Sequence, residues 1–125
     1  MEQYLIDTNT IPDYFTASFF HAGMEFMDSV INAIPNLSVI SQIELLCWNT
    51  DVITEEKVKD FINDSIILHI GPEVIVQCVN LRKGKKIKTP DAIIAATALA
   101  YGYILITNNE KDFTNISGLK IINPH

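Results

Sequence analysis

Apolar residues in this chain come in short unbroken runs, each closed by a polar residue and most of them followed by a stretch with helical spacing. Gln3 to Ile6 reads as a buried strand that stops at Asp7, Leu37 to Ile40 as a second and Ile66 to Ile70 as a third. Tyr103 to Ile106 makes a fourth and Leu119 to Ile122 a short fifth. Between them the spacing predicts a helix over Ser41 to Asn49, one from an N-cap at Thr54 through Phe61, one over Glu73 to Lys83, and one over Asp91 to Tyr101 that stops at Gly102. Continuous apolar strands are covered on both faces, and strands that alternate with helices are joined by crossovers. The expected fold class is α/β, with a mainly parallel sheet of about five strands flanked by helices on both faces.

With 125 residues, 48% of them hydrophobic, the chain suits one compact domain over residues 1–125. It lacks a basic segment followed by a long apolar run, and no stretch approaches the roughly 20 apolar residues that span a bilayer. A cytoplasmic protein without membrane contact is expected. Cys47 and Cys78 are far apart and have no metal-binding spacing, so both are expected to be reduced and buried. From Ser18 to Pro35, Phe19, Phe26 and Val30 form one helical row and Phe20, Met24, Met27, Ile31 and Ile34 a second. Two rows exceed the single stripe that a surface helix buries, which leaves a thick core contact or a partner's docking face.

The formal charge of −6 argues against a general nucleic-acid coat protein. A local exception is the run Arg82, Lys83, Lys85, Lys86 and Lys88, five of the nine basic residues. Lys83, Lys85 and Lys86 are candidates for holding a nucleic-acid backbone; the plain alternative is a solvated helix end with cations near its C-terminus.

Acidic residues fall where the strands end. Asp7 closes the first strand, and Glu44 lies in the first turn of the helix leaving the second, among Ile43, Leu45 and Leu46, where an ionised carboxylate is costly. The helix that Asp91 begins passes through Gly102 straight into the fourth strand, so helix and strand run antiparallel and Asp91 belongs at that strand's carboxyl end. Thr107, Asn109 and Asp112 follow the same end. Ligands of open parallel sheets bind outside the carboxyl ends of the strands. Carboxylates roughly 5 Å apart repel by about 3 kcal/mol per pair at an effective dielectric near 20, so such a cluster calls for a cation. Oxygen ligands without Cys or His favour Mg²⁺ or Mn²⁺, which suits phosphodiester hydrolysis. Individually, Asp7 and Asp91 are also explained as helix-start residues. Asp13, Asp28, Asp51, Asp60 and Asp64 read as solvated charges, and His21, His69 and His125 as surface or packing residues.

Four segments carry a resemblance: Leu5 to Asn9 (LIDTN), Ser38 to Leu46 (SVISQIELL), Leu81 to Thr97 (LRKGKKIKTPDAIIAAT) and Leu105 to Phe113 (LITNNEKDF). The chain resembles the PIN-domain family and, within it, VapC-type toxins. The resemblance implies a parallel sheet between helices, a Mg²⁺ or Mn²⁺ site, endonucleolytic cleavage of single-stranded RNA, a homodimer, and inhibition by a small antitoxin protein laid into a groove by the site. The Phe19 to Ile34 segment is the candidate for that groove. Family acidic positions map onto Asp7, Glu44 and Asp91, with Asn9 and Thr107 as residues that orient them. The fourth acidic position departs from the pattern: Asn109 stands where many members have Asp, and Asp112 follows one turn later. Competing readings are a PIN nuclease of RNA processing, a catalytically silent binding module, and a phosphatase with Asp7 as nucleophile. The last would want an acid where Asn9 stands.

Overall fold

β1 (Tyr4–Ile6), near the head of the chain, becomes the central strand of the sheet. The computed structural model describes residues 2–125. After β1 come α1 (Thr10–Phe15), α2 (His21–Asn32), β2 (Asn36–Ser38), α3 (Val39–Leu46), α4 (Val52–Asn63) and β3 (Ile66–Leu68). α5 (Pro72–Gly84), α6 (Thr89–Tyr101), β4 (Ile104–Ile106), α7 (Glu110–Phe113) and β5 (Ile121–Ile122) follow. The five strands form one sheet in the order β3-β2-β1-β4-β5, and every neighbouring pair is parallel.

Alternation along the strands sends side chains to two core layers. Ile6, Leu37 and Ile106 meet Ile11 of α1, Met27 and Val30 of α2, and Phe61 of α4. Leu5, Leu68 and Leu105 enter the other layer with Ile94, Ala95 and Ala98 of α6 and with Phe113. Both faces are covered, which is why the strands read as continuous apolar runs and why the α/β expectation holds. α6 needs small residues because the sheet lies on one side of it and α5 on the other. Gly102 ends it at φ 72°, a conformation that glycine adopts without strain.

Local departures from the sequence reading have identifiable causes. β2 stops at Ser38, whose Oγ accepts from the Ser41 amide at 3.1 Å and caps α3, so the apolar run Leu37 to Ile40 crosses a strand-to-helix boundary. The cap of α4 is Asp51, which accepts from the Thr54 amide at 2.8 Å; Thr54 is already inside the helix. Cys47 is exposed rather than buried. In the α2 region Phe19, Met27 and Val30 are buried, whereas Phe20 is 82% and Ile34 58% exposed, so the second apolar row is split between core and solvent.

Beyond β5 the chain crosses α2 at Gly23, where an added Cβ would stand 2.1 Å from the Pro124 carbonyl oxygen. Gly23→Ala should therefore destabilise the protein by about 1 to 3 kcal/mol, through overpacking, even though alanine favours helix by about 1 kcal/mol. Urea-unfolding midpoints check this; a stabilised variant would mean that the crossing segment is not held there.

Candidate active site

Asp7 is the last residue of the central ladder, its amide donating to the Ile106 carbonyl at 2.8 Å. Its main-chain carbonyl accepts from Thr10 Oγ1 at 2.6 Å, which starts α1. The side chain is held from two sides: Oδ1 accepts from the Thr8 amide at 2.9 Å and Oδ2 from Thr107 Oγ1 at 2.7 Å. Thr107 in turn accepts from the Asn109 amide at 3.0 Å, so its own proton is directed at Asp7. Burial pushes the Asp7 carboxyl up to about 6; these hydrogen bonds lower it, and the negative charges of Asp91 and Glu44 raise it further.

Glu44 stands in the second turn of α3 rather than the first, because the helix starts at Val39, and its Oε1 lies 2.7 Å from Thr8 Oγ1, which is also 2.8 Å from Ser41 Oγ. A hydroxyl has one proton, so Thr8 serves Glu44 as donor while Ser41 supports it. Glu44 is exposed, as are Ile43 and Leu46, and only Leu45 of its apolar neighbours faces the core. The apolar surroundings expected from sequence are therefore absent. Asp91 lies half-buried in the first turn of α6. Burial raises its carboxyl, the charges of Asp112 and Glu44 raise it further, and Lys88 opposes them.

A cleft of ≈ 400 Å³ is walled by Asp7, Thr8, Asn9, Glu44, Trp48, Asp91 and Asn109. Asp7, Glu44, Asp91 and Asn109 are thus brought together, and Asp112 stands beside Asp91. A larger hollow of ≈ 510 Å³ opens at the amino end of the sheet, between Gln3, Leu99 and Tyr103, and has Glu2 as its single acid. The cleft's donors are all hard oxygens. Among the described residues no three acid, histidine or cysteine side chains enclose an ion by themselves. An open oxygen site fits Mg²⁺, which keeps several waters and uses one or two carboxylates.

Asn9 does not meet a carboxylate; its Oδ1 faces the Asn108 amide at 3.5 Å and ties two loops together. Lys83 and Lys86 are exposed, while Lys85 donates to the Thr114 carbonyl. Sequence reasoning missed Thr8, which bonds Glu44, and Ser41, which bonds Thr8. It also missed Asp13, Asn108 and His125, which meet behind the cleft: Asp13 accepts from Asn108, and His125 Nε2 lies 3.1 Å from Asp13 Oδ2. Local pattern gives no signal for contacts between residues so far apart in the chain.

A family model described as PIN domain matches residues 4–119. The chain belongs to the PIN domain family. Over 36 residues it is 53% identical to Ribonuclease VapC1 of Rickettsia felis, a match that covers 29% of this chain and 27% of that protein. A toxin-antitoxin complex from Klebsiella pneumoniae contains a chain 29% identical, with TM-score 0.75 and 98% of both chains covered. A chain of DNA-bound VapBC from Salmonella typhimurium is 21% identical, with TM-score 0.78 and both chains covered in full. VapBC2 of Rickettsia felis, bound to a promoter DNA fragment, gives 22% identity and TM-score 0.77 over 96% of this chain and 97% of that one. The last two likenesses show the PIN-type fold.

A carboxyl raised on folding contributes stability that is fully present below its unfolded value and lost as pH rises through its folded value. For Asp7 the window runs from about 4 to about 6, and the difference from the ordinary 3.8 corresponds to about 3 kcal/mol. Asp7→Asn should accordingly gain stability over the unsubstituted protein, without metal, as pH rises from 4 to 7. Thermal unfolding in a chelator across that range checks it; a gap that does not widen with pH would show that Asp7 is not the strained charge.

Proposed function

We propose that the protein is a Mg²⁺- or Mn²⁺-dependent endoribonuclease that hydrolyses phosphodiester bonds of single-stranded or looped RNA, and that it acts in the cytoplasm as the toxin of a toxin-antitoxin pair. The observation that carries the activity is the convergence of Asp7, Glu44 and Asp91 on one cleft at the carboxyl edge of the sheet. Their charges oppose one another, so the cleft is completed by a cation. Membership of the PIN family and the similarity to Ribonuclease VapC1 support the reaction class. The toxin role is supported by the likeness to a chain of a toxin-antitoxin complex over almost its whole length.

Asp7, Glu44 and Asp91 would hold the ion, with Asp112 as the fourth acid. A bound divalent ion supplies a lowered pKa for a coordinated water and neutralises charge on a phosphoryl oxygen. Thr107 and Thr8 fix the rotamers of Asp7 and Glu44, so the carboxylates are aimed before substrate arrives. Asn109, on the cleft wall, is suited to holding a water by its amide. Lys83 and Lys86, at the end of α5, are free to meet the RNA backbone.

An antitoxin would bind best beside the cleft. Ile43, Leu46, Val52 and Ile53, on α3 and α4, are all more than half exposed there. They offer a better face than Phe19 to Ile34, where the core takes Phe19, Met27 and Val30. The exposed stripe Ile75, Val76 and Val79 on α5 is suited to a homodimer contact.

Asp91→Asn should abolish cleavage of RNA with no loss of fold by circular dichroism, and comparable cleavage at saturating Mg²⁺ would overturn the reading. Asp112→Asn should weaken Mn²⁺ binding more than Asn109→Ala does in titration calorimetry; the opposite order would exchange their roles. Replacing Lys83 and Lys86 by Gln should flatten log K against log salt by about 0.7 per lost phosphate contact across unrelated RNAs. An unchanged slope would return these lysines to the role of a solvated helix end.

A further inference from the structure

The loop between β4 and α7 carries Thr107 and Asn109, and what fixes it lies behind the cleft. Asn108 Nδ2 donates to the Asn9 main-chain carbonyl at 3.2 Å and to the Asp13 carboxylate on α1. Those two acceptors decide which way the amide faces, and they do so although Asn108 Oδ1 is left buried without a hydrogen-bond partner. An arrangement that tolerates an unpartnered buried acceptor is held by the opposite end of the same group.

Asp13 is itself braced. Its Oδ2 lies 3.1 Å from His125 Nε2, and the His125 ring rests on Phe19 with centroids 4.5 Å apart. The His125 amide donates to Asn123 Oδ1 at 3.0 Å, and the Pro124 carbonyl fills the space over Gly23 of α2. The segment after β5 thus presses a histidine onto the carboxylate that holds Asn108. Asp13, Asn108 and His125 are not part of the cleft wall.

We propose that Asp13 and His125 are positioning residues of the cleft, acting through Asn108 to lock the β4–α7 loop onto the β1–α1 loop. The Thr107 bond to Asp7 and the Asn109 wall then keep a fixed place relative to Asp91. Without the Asp13 carboxylate, Asn108 retains one neutral partner and a 3.5 Å contact. A hydrogen bond to an ionised acceptor is roughly twice as strong as a neutral one, so Asp13 is the stronger of the two ties. The consequence for metal binding rests on the metal-site reading of the cleft given above, whereas the loop contact does not.

Two readouts separate positioning from simple stabilisation: hydrogen exchange of the Asn109 amide in the metal-free protein, and Mn²⁺ affinity by calorimetry. In Asp13→Ala the amide should exchange about 10-fold faster and Mn²⁺ should bind about 10-fold more weakly, the scale on which supporting residues act on metal sites. The KM for RNA should not change. Asp13→Asn, whose amide oxygen still accepts from Asn108, should restore most of both. Unaltered exchange and affinity in Asp13→Ala would overturn the proposal, as would equal losses in the two variants. If Asp13→Ala does not fold, His125→Ala decides, with smaller changes of the same sign expected and no change counting against. Asp7→Asn serves as control: wild-type Mn²⁺ binding in that variant would sink the metal reading, and the exchange measurement would still decide the positioning.

Discussion

Where the central strand ends, the residue that follows it has to satisfy a main-chain amide, a main-chain carbonyl and, in this protein, a buried carboxylate. Asp7 meets all three demands with groups from different parts of the chain. Its amide is paired to β4, its carbonyl starts α1 through Thr10, and its carboxylate takes one bond from its neighbour and one from Thr107. Asp7 thus ties α1 to the end of the ladder that pairs β1 with β4, and the cleft inherits that placement. α3 is drawn in by a second hydroxyl, Thr8, which joins the Asp7 loop to Ser41 and Glu44.

These hydrogen bonds hold the acids in place without neutralising them. Burial still raises Asp7 to about 6 and raises Asp91 from its ordinary value; Asp7 also feels Asp91 and Glu44, and Asp91 feels Asp112 and Glu44. The opposing cation near at hand, Lys88, acts on Asp91 alone among the shifted acids. A site of this kind is least comfortable when empty and fully ionised. Its rigidity comes from neutral donors, and its remaining charge is left for a ligand to meet.

Sequence disclosed the fold class and the placing of Asp7 and Asp91 for the same reason. Both follow from strands that end at polar residues and from α6 running directly into β4, and these relations are local. The end of β2 was not legible, because Val39 and Ile40 are half-buried in a helix much as they would be in a strand. The surroundings of Glu44 were misjudged, since neighbours in a helical sequence point in different directions and only Leu45 turns inward. Asp13 and His125 read as ordinary surface residues; what joins them is a crossing of the last residues over α2, a contact between distant parts of the chain that no local pattern carries.

The hydrogen bond between Thr107 and Asp7 spans 100 positions in the chain, and β1 stays unpaired on its β4 side until residues 104–106 exist. Closing so long a loop comes late in folding, after the local contacts have formed. A growing chain that has passed Glu44 but not reached Asp91 carries two of the acids, joined through β2 and Thr8, and lacks the Thr107 bond that fixes Asp7. During synthesis, therefore, the cleft takes shape only when nearly all of these residues have been added. A chain that stops before β4 has an open edge on its central strand and no Thr107 bond to Asp7.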